Sequence, residues 1–354
     1  MKRILLFTES IGSGGAERQL TGLAVELKNK GYSVKLVTYF RNQFYEKYLI
    51  ENGVDYLLIE NATNILKRIY YVNKVIKSFY PDTVISYLPA PNKLMCLLKP
   101  LHNYKLIVSE RNTTMSWGRN EYILYNLYRL SDYIIPNSYN EGENIMSHKS
   151  FLAKKVVTIT NFVNTDCFIP KLHTPNKPQV IICVGRITEQ KNVLRFLDAI
   201  KILKNRGLLF RVKWFGSHSY VDYCENVSKK VKEMNISDVI SFYQPSENIL
   251  HEYQMADIFC LPSIHEGYPN VLCEAMSCGL PVVCSNTCEN PKIVTEGIHG
   301  FLFDPYSIEH MAATIERMLA ISIEEKKIMG RAGRDKIVND NSVDAFVDKY
   351  IRII

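Results

Sequence analysis

Three kinds of signal are missing from this sequence of 354 residues. The nine cysteines include no C-x-x-C pair, which argues against a zinc site and favours reduced, mostly buried thiols in a cytosolic protein. No apolar run approaches the length that spans a membrane, and the run after Lys2 and Arg3 stops at Thr8, too early for a signal peptide. No repeat or low-complexity tract is present. We therefore expect a folded protein whose contact with a membrane, where it occurs, is peripheral.

The positive charge is distributed unevenly along the chain. Residues 1–170 carry 21 Lys and Arg against 14 Asp and Glu, whereas residues 171–354 carry 22 of each. The net charge of +7 therefore belongs to the first half, which favours an anionic partner there: a membrane surface, a lipid phosphate or nucleic acid. Nucleic acid is disfavoured because no known binding motif with interleaved aromatic residues accompanies the charge.

The chain opens with the pattern of a βαβ unit. A continuous apolar run at residues 4–8 predicts a buried parallel strand, residues 11–15 a glycine-rich loop, residues 16–30 a helix, and residues 34–39 a second strand. The glycines do not form a dinucleotide fingerprint, because Glu17 stands at the third glycine position. The acid expected after the second strand is also missing. The sequence thus predicts a doubly wound α/β sheet that does not bind NAD.

A second strand, loop and helix pattern begins after a polar, proline-bearing linker that includes residues 161–178. Residues 180–184 predict a strand and residues 193–204 a helix, with Gly185, Arg186 and Lys191 between them. Glycine allows the backbone to approach a ligand, and the two cations can neutralise a diphosphate at a helix N-terminus. This loop is therefore a candidate phosphate site.

Another such loop follows the apolar run at residues 258–262. It contains Gly267 and Tyr268 and leads into a short helix, whose first N–H groups, those of Asn270, Val271 and Leu272, are predicted to hold a diphosphate. Glu274 lies about one helical turn further along, roughly 6 Å. A carboxylate so close would repel a phosphate, so we interpret Glu274 as an acceptor for a ribose diol. Glu266, on the loop, is placed to accept hydrogen bonds from a sugar.

Glu266 and Glu274, seven residues apart around a Gly-x-Pro turn, resemble the donor-site signature of the retaining glycosyltransferases of family 4. This family has the GT-B fold, an α/β architecture of two Rossmann-like β/α/β domains that face each other across a cleft. The resemblance implies that Glu266 touches the transferred sugar, Glu274 binds the ribose, and Arg186 and Lys191 stabilise the leaving diphosphate. The glycine loop is similar to the family's first loop, which implies that Gly14 and Gly15 face the donor phosphates and the acceptor.

The first half departs from the family at residues 109–113. Many members have a histidine near the transferred sugar in this loop, and Arg111 stands in its place. Arginine cannot act as a base near neutral pH, but it can bind a phosphate with two parallel hydrogen bonds, so we assign Arg111 to donor binding. The proposed activity survives, because enzymes of this class are thought to let the departing phosphate take the acceptor proton.

From these features we predict a first, acceptor-side domain at residues 1–170 and a nucleotide-sugar-binding domain at residues 171–340. A helix at residues 341–354 is expected to cross back to the first domain, as in GT-B proteins. An amphipathic helix is predicted within residues 62–80. Its basic residues and two tyrosines suit a lipid headgroup layer, and the alternative is a helix that simply packs on the sheet.

We expect a cytoplasmic retaining glycosyltransferase, at most peripheral at the inner face of the membrane. It would move a hexose or N-acetylhexosamine from a UDP-sugar to a glycan or lipid-linked glycan acceptor in surface polysaccharide synthesis. No Asp-x-Asp occurs, so neither a divalent metal nor another cofactor is expected. Two alternatives stay open: a nucleotide-sugar epimerase or hydrolase of the same fold, which would consume donor without an acceptor, and a binding protein without catalysis.

Overall fold

The computed structural model describes the chain except for a few single positions. The described residues are 1–62, 64–111, 114, 116–172, 174–218 and 220–354. Asn112 and Thr113 of the loop that departs from the family, and His173 of the predicted linker, lie outside them. The chain divides into two compact units, the first formed by residues 1–162 with 343–354 and the second by residues 163–342. The boundary expected from the sequence lay somewhat later, after residue 170.

The first unit is a parallel sheet with helices on both faces. Its strands are β1 Arg3–Phe7, β2 Ser33–Thr38, β3 Asp55–Leu58, β4 Thr83–Tyr87, β5 Lys105–Glu110 and β6 Tyr133–Pro136. Its helices are α1 Gly15–Asn29, α2 Glu46–Glu51, α3 Ile65–Phe79, α4 Pro89–Leu98, α5 Arg119–Leu127, α6 Tyr139–His148 and, from the end of the chain, α14 Val343–Ile351. Short 3-10 turns lie at Lys99–Leu101, Tyr128–Leu130 and Ser150–Lys155.

The second unit repeats this arrangement. Its strands are β7 Gln179–Val184, β8 Phe210–Phe215, β9 Ile240–Tyr243, β10 Ile258–Leu261, β11 Val282–Ser285 and β12 Gly300–Phe303. Its helices are α7 Val193–Asn205, α8 Val221–Glu233, α9 Ile249–Gln254, α10 Asn270–Ser277, α11 Asn290–Ile293, α12 Ile308–Ala320 and α13 Ile323–Asn341, with a 3-10 turn at Glu189–Lys191.

Both sheets have the strand order of a Rossmann domain. Within the described residues the first runs β3-β2-β1-β4-β5-β6 and the second β9-β8-β7-β10-β11-β12, and every paired neighbour is parallel. In each sheet the order reverses beside the first strand of the unit, and ligands of such folds bind outside the carboxyl ends of the strands at this point. The predicted pair of Rossmann-like domains, and with it the GT-B fold class, is confirmed.

Apolar side chains on both sides of each sheet form the cores. In the first unit, Ile4 and Leu6 of β1 point to one face and Leu5 and Phe7 to the other, and all four are fully buried. This two-sided burial explains why β1 is continuously apolar rather than alternating. The second unit has the same pattern, with one cluster around Phe196 of α7 and another around Leu272 and Met276 of α10.

The last helix belongs to the first unit. Phe346, Val347 and Tyr350 of α14 are buried in the same cluster as β1 and α1, and the ring of Phe346 lies 5.1 Å from that of Phe162. The Tyr350 hydroxyl hydrogen-bonds that of Tyr87 at 2.9 Å. The sequence predicts a helix at residues 341–354 that crosses back to the first domain, and such a helix would make contacts of this kind.

Gly330 in α13 offers a stability test with an internal control. A Cβ there would lie 1.9 Å from the carbonyl oxygen of Gly279, whereas a Cβ at Gly333 in the same helix would meet nothing closer than 3.5 Å. Alanine ordinarily favours a helix by about 1 kcal/mol over glycine. We expect Gly330→Ala to lower the free energy of unfolding by roughly 2–4 kcal/mol, because backbone must move, and Gly333→Ala to leave it unchanged or raised.

The two tryptophans of the chain allow the unfolding of the second unit to be measured separately. Trp117 lies in the first unit and Trp214 is buried in the second. Urea unfolding followed by fluorescence in a Trp117→Phe background therefore reports on the second unit alone. Equal midpoints for the two alanine variants would contradict the close approach of α13 to the end of α10.

Candidate active site at the carboxyl edge of each sheet

The loops that follow β7, β8 and β9 are bonded to one another. The Gly185 N–H donates to the Phe215 carbonyl at 2.9 Å and the Gly216 N–H to the Tyr243 carbonyl at 3.0 Å. A Cβ at Gly216 would lie only 1.9 Å from the Gly185 carbonyl oxygen, so this close approach requires glycine. The edge of the sheet is thereby fixed where the predicted phosphate loop begins.

The phosphate loop ends in a rigid turn that holds Lys191. Lys191 closes a 3-10 turn, and Asn192 follows in the left-handed conformation, φ 58° and ψ 31°, as the residue before α7. Asparagine tolerates this conformation better than most residues. Asn192 is buried, and its side-chain amide donates to the Pro305 carbonyl at 2.7 Å. The start of α7, and therefore Lys191, has a defined position.

Lys191 and Glu266 form an ion pair. The ammonium nitrogen lies 2.5 Å from Glu266 Oε1, and the two side chains are only 12% and 10% exposed. Gln190 joins the same two loops twice: its carbonyl accepts from the Ile264 N–H at 2.8 Å, and its side-chain amide donates to the His265 carbonyl at 3.0 Å. The structure therefore brings together two predicted catalytic residues that are 75 positions apart in the sequence.

Arg186 is placed differently from Lys191. It lies in the same loop but its side chain is exposed. Among the described residues its guanidinium has no hydrogen-bond or ion-pair partner. An unpaired arginine beside a fixed lysine supplies a second positive charge with free donors at the carboxyl edge of the sheet, as a diphosphate requires.

The start of α10 fits the predicted role only in part. The Asn270 N–H donates to the Tyr268 carbonyl at 3.0 Å, and the Leu272 N–H to the Pro269 carbonyl at 3.1 Å. Two of the three amides assigned to a diphosphate are thus already used within the chain. Gly267 and Val271 are partly exposed, whereas the Leu272 side chain is fully buried in the core. A ligand would meet this turn chiefly through Gly267 and Val271.

The Tyr268 side chain is part of the core rather than of an open surface. It is buried, and its hydroxyl accepts from the Asn341 side-chain amide at 2.6 Å. Its contribution to donor binding would come from its backbone. Glu274 is also buried, and Glu274 Oε2 accepts from the Tyr253 hydroxyl at 3.2 Å. A carboxylate has several acceptor positions, which is the property that the predicted contact with a ribose diol uses.

Polar atoms without a partner lie at the same edge. Thr188 Oγ1, Ser263 Oγ and Asn290 Oδ1 are buried and make no hydrogen bond within the described part of the chain. These residues follow β7, β10 and β11, which are neighbours in the sheet. Buried polar atoms in native proteins are nearly always hydrogen-bonded, so a group of exceptions at one edge indicates a site for a polar ligand.

In the first unit, Gly14 and Gly15 lie at the carboxyl end of β1 and are exposed. Gly14 is the residue before α1, and Gly15 is the first residue of that helix, one position earlier than expected. The predicted loop geometry, with an exposed glycine pair at a helix N-terminus, is present in the structure. Its contact with a donor stays a prediction.

Arg111 is held inside the first unit. It is 7% exposed, and its guanidinium donates to Asn161 Oδ1 at 2.9 Å, to the Tyr350 hydroxyl at 2.8 Å and to the Tyr87 hydroxyl. It also lies 4.1 Å from the centre of the Tyr87 ring, a cation–π contact. The guanidinium thus joins β4, β5 and α14. Of the three guanidinium nitrogens, Nε is buried without a partner among the described residues, and the other two are engaged, so a role in donor binding would require the side chain to change its contacts.

Glu110, beside Arg111, is a buried acid. It accepts from the Tyr128 hydroxyl and, at 3.3 Å, from the Asn92 amide. Burial raises its pKa to about 7; the Tyr128 hydrogen bond opposes this shift and the nearby Glu141 carboxylate adds to it. The side chain therefore changes its charge near neutral pH at the carboxyl end of β5.

Metal-ligand clusters and membrane-spanning helices are absent from the described residues. No group of three or more His, Cys, Asp or Glu side chains there could hold a metal ion. In the same part of the chain, no helix is both long enough and apolar enough to cross a bilayer.

Comparison with known families agrees with this geometry. The family model for "Glycosyl transferases group 1" matches residues 164–336, which lie in the second unit, and that for "Glycosyltransferase Family 4" matches residues 13–167. Together the two models span most of the chain and both units.

The chain is a family 4 glycosyltransferase. The resemblance found in its motifs is confirmed by both matches.

Several relatives of this glycosyltransferase have been named. It is 25% identical to an "Uncharacterized glycosyltransferase" of Haemophilus influenzae, over 90% of this chain and 91% of the relative. It is 25% identical to a Campylobacter jejuni protein, over 81% of each chain, whose name describes transfer of N-acetylgalactosamine to a diphospho-undecaprenol-linked saccharide. It is 30% identical to the amylovoran biosynthesis glycosyltransferase AmsK of Erwinia amylovora, but this match spans only 40% of the chain and 36% of AmsK.

Solved structures share the fold of the glycosyltransferase. A glycosyltransferase from Rickettsia africae aligns with a TM-score of 0.89 at 20% identity, over 99% of this chain and 97% of that one. HepE from Anabaena, crystallised with UDP and glucose, aligns with a TM-score of 0.85 at 15% identity, over 100% and 99%. At these identities the likeness shows the fold alone.

Gln190 could not be identified from the sequence, although it joins the two loops of the second unit in which donor-binding residues were predicted. It stands between Arg186 and Lys191 in a stretch that was singled out, but its role depends on loops distant in sequence. Thr188, Ser263 and Asn290 were also missed, because only burial shows that their polar atoms lack partners. No signal in the sequence distinguishes them from ordinary loop residues.

The ion pair can be tested by a double-mutant cycle with Lys191→Met, Glu266→Gln and both changes. Lys191→Met leaves the Glu266 carboxylate without its donor, and Glu266→Gln leaves the Lys191 ammonium without its opposing charge, so we expect each single change to lower the free energy of unfolding by roughly 2–3 kcal/mol. The double variant should lose less than the sum of the two single losses, with a coupling energy of about 1–3 kcal/mol.

The matched control is the same cycle on Lys230 and Asp198. These side chains lie 2.7 Å apart but are each 28% exposed, so a smaller coupling energy is expected. Additive losses at Lys191 and Glu266 would contradict the pairing.

Glu110 gives the first unit a predictable dependence on pH. The folded pKa of about 7 lies above the ordinary value of 4.5, so the folded state holds its proton more tightly. The contribution of this proton to the free energy of unfolding is full below about pH 4.5. It is lost as the pH rises to about 7, which lowers the free energy of unfolding by an amount on the order of 2–3 kcal/mol. Glu110→Gln should remove this slope and be more stable than the wild type at pH 8. Urea unfolding of both proteins between pH 5 and 8 measures the difference. Glu51→Gln, at an exposed carboxylate of the same unit, is the control, and parallel curves for the wild type and Glu110→Gln would contradict a buried, titrating Glu110.

Proposed function

We propose that this glycosyltransferase transfers a hexose or N-acetylhexosamine from a UDP-sugar to a glycan or lipid-linked glycan acceptor, with retention of the anomeric configuration. The observation that carries the proposal is the fixed Lys191–Glu266 pair beside the exposed Arg186. A lysine and an arginine can neutralise a departing diphosphate, and a carboxylate can accept from sugar hydroxyls. The acceptor class is supported by the name of the Campylobacter jejuni relative, and uridine by the UDP complex of HepE. The place of the reaction is proposed to be surface polysaccharide synthesis.

In this proposal, the four charged residues contact different parts of the donor. Lys191 has three N–H donors, so it can keep its bond to Glu266 and also donate to a phosphate oxygen of the leaving group. Arg186 can bind the same diphosphate with parallel hydrogen bonds. Glu266 is held by Lys191 and Glu274 by Tyr253, so both carboxylates are oriented before the donor arrives. Preorganised charges of this kind stabilise a transition state without rearrangement during the reaction.

The acceptor proton needs no separate base in this scheme. As the bond between sugar and phosphate breaks, negative charge develops on the phosphate oxygen, which can take the proton from the attacking hydroxyl. Lys191 and Arg186 stabilise that charge, and no metal ion is required by the proposal. Arg111 is retained as a proposed donor residue only on the family resemblance, because its observed contacts are internal.

The proposal is tested first by a thermal-shift panel of nucleotides and nucleotide sugars, without added metal. A donor present at about 100 times its Kd should stabilise the protein by about 2.7 kcal/mol and raise the midpoint by a few degrees. We expect UDP-sugars to do this and NAD not to. Arg186→Gln should weaken UDP binding about 10- to 100-fold, whereas Arg211→Gln, which removes an exposed arginine of β8, should not.

The two glutamates should behave differently in the same assay. Glu274→Gln should weaken UDP and UDP-sugar alike, since both contain the ribose. Glu266→Gln should spare UDP and abolish the preference for one sugar over another. Selective binding of NAD, or unchanged UDP binding in both Arg186→Gln and Glu274→Gln, would remove the assigned donor site.

A further inference from the structure

Tyr268 places a hydroxyl group inside the core of the second unit. Its side chain is 9% exposed and belongs to the same cluster as Leu272 and Met276. The hydroxyl accepts from the Asn341 side-chain amide at 2.6 Å and lies 3.7 Å from Cys273 Sγ. A phenylalanine would fill almost the same volume without a polar atom, and a hydroxyl buried here without its partner would be destabilising. The bond to Asn341 is therefore a specific contact that apolar packing alone does not require.

Helix α13 brings Asn341 to this point because it packs antiparallel against α10. Three pairs of residues share one register, in which each step forward along α13 matches an equal step back along α10 and the segments that flank it: Gly330 with Gly279, Gly333 with Met276, and Asn341 with Tyr268. Ile337 and Leu272, which the same register pairs, are both fully buried in one cluster. The first and last of these contacts are eleven residues apart, about 16 Å along the helix axis. Helix α13 therefore holds α10 at both of its ends.

The end of α13 has a fixed position. Asn341 is the last residue of the helix and is 4% exposed. Its carbonyl accepts from the Val163 N–H at 2.8 Å. Val163 is buried and is the first residue of the second unit. The amide group that meets Tyr268 therefore extends from a backbone that is itself held by a hydrogen bond.

The loop between β10 and α10, residues 262–269, is what we call the donor loop, and its first half is held by a different element. Gln190 and Lys191 of the phosphate loop bond to it, and Lys191 forms the ion pair with Glu266. Only Gly267 separates Glu266 from Tyr268. Because glycine gives the backbone more freedom than any other residue, the ion pair alone does not fix the backbone of Glu266. Tyr268 supplies the second fixed point.

We propose that Asn341 is a positioning residue of the donor site. It touches no ligand, and it acts through the Tyr268 hydroxyl to fix the backbone from which Glu266 meets the hydroxyls of the transferred sugar. A displacement of about 1 Å in such a group is enough to weaken its action strongly. The role in sugar selection rests on the proposed function, whereas the bond between α13 and the donor loop does not.

Hydrogen exchange of the free, full-length protein tests this bond without any ligand. In Tyr268→Phe and in Asn341→Leu, the amides of residues 263–268 should exchange about 5- to 10-fold faster than in the wild type, because one buried hydrogen bond no longer opposes local opening. The double variant should match the single variants, since either change removes the same bond. Tyr268→Phe removes a single oxygen atom, so it is sufficient for the test if Asn341→Leu does not fold.

A matched control removes a buried hydroxyl elsewhere in the second unit. Thr314 in α12 is 6% exposed, and its hydroxyl donates to the His310 carbonyl at 2.8 Å. Thr314→Val keeps the shape of the side chain and loses this bond. It should lower the stability of the unit while the donor loop exchanges as in the wild type.

Ligand binding separates positioning from a general loss of stability. Arg186 lies on the phosphate loop and Glu274 is held by Tyr253 of α9, so the contacts assigned to UDP have supports of their own. The quantities to measure are the Kd of UDP and the Kd of the UDP-sugar that the wild type binds best. In Tyr268→Phe and Asn341→Leu, the preference for that UDP-sugar over UDP should fall about 5- to 10-fold, while the Kd of UDP changes by less than about twofold.

Two results would overturn the proposal. In the first, the donor loop of Tyr268→Phe exchanges as slowly as that of Thr314→Val. In the second, UDP and the UDP-sugar lose affinity in equal proportion, which would make the bond a general support for the site. A wild type that binds no UDP-sugar would count against the proposed function, and the exchange rates would still decide whether Asn341 holds the donor loop.

Discussion

The constraint on which the whole arrangement depends is that every paired strand in each sheet runs in the same direction. Because parallel strands end at one edge, every loop that leaves a strand there can contribute to a single site. In the second unit this brings loops from β7 and β10, far apart in the sequence, within hydrogen-bonding distance through Gln190. The chemistry is therefore carried by loops, and the sheet supplies their fixed starting points.

The Lys191–Glu266 pair shows how such a site is stable without its donor. Two charges of opposite sign, each largely buried, satisfy one another, so neither must be left without a partner in the free protein. In the proposed function, a phosphate would introduce new negative charge beside the lysine, and sugar hydroxyls would offer new donors to the glutamate. The interaction that stabilises the free site would then also orient both groups for the two halves of the donor, at the cost of some competition between them.

Sequence patterns were sufficient for the fold because local signals were unambiguous. Continuous apolar runs such as that at residues 4–8 identify buried parallel strands, and glycine and proline mark where they end. The family signature around Glu266 and Glu274 also identified the class of protein correctly. What the sequence could not show is which atoms are already occupied. Tyr268 and Leu272 look like neighbours of a ligand in the sequence, but their side chains are buried in the core, and Arg111 is engaged by two tyrosine hydroxyls and an asparagine. Such occupancy depends on long-range packing, which neither spacing nor composition encodes.

The return of α14 to the first unit makes that unit discontinuous in sequence. Phe346, Val347 and Tyr350 fill part of a core whose other walls are made of residues before position 163, and the entire second unit is inserted between the two segments. During synthesis the second unit is complete in sequence before the first has received its last helix. Until α14 is synthesised, the residues of the first unit expose an apolar surface beside β1 and α1. The ribosome therefore begins the first unit before the second, although the core of the second unit can be completed before that of the first.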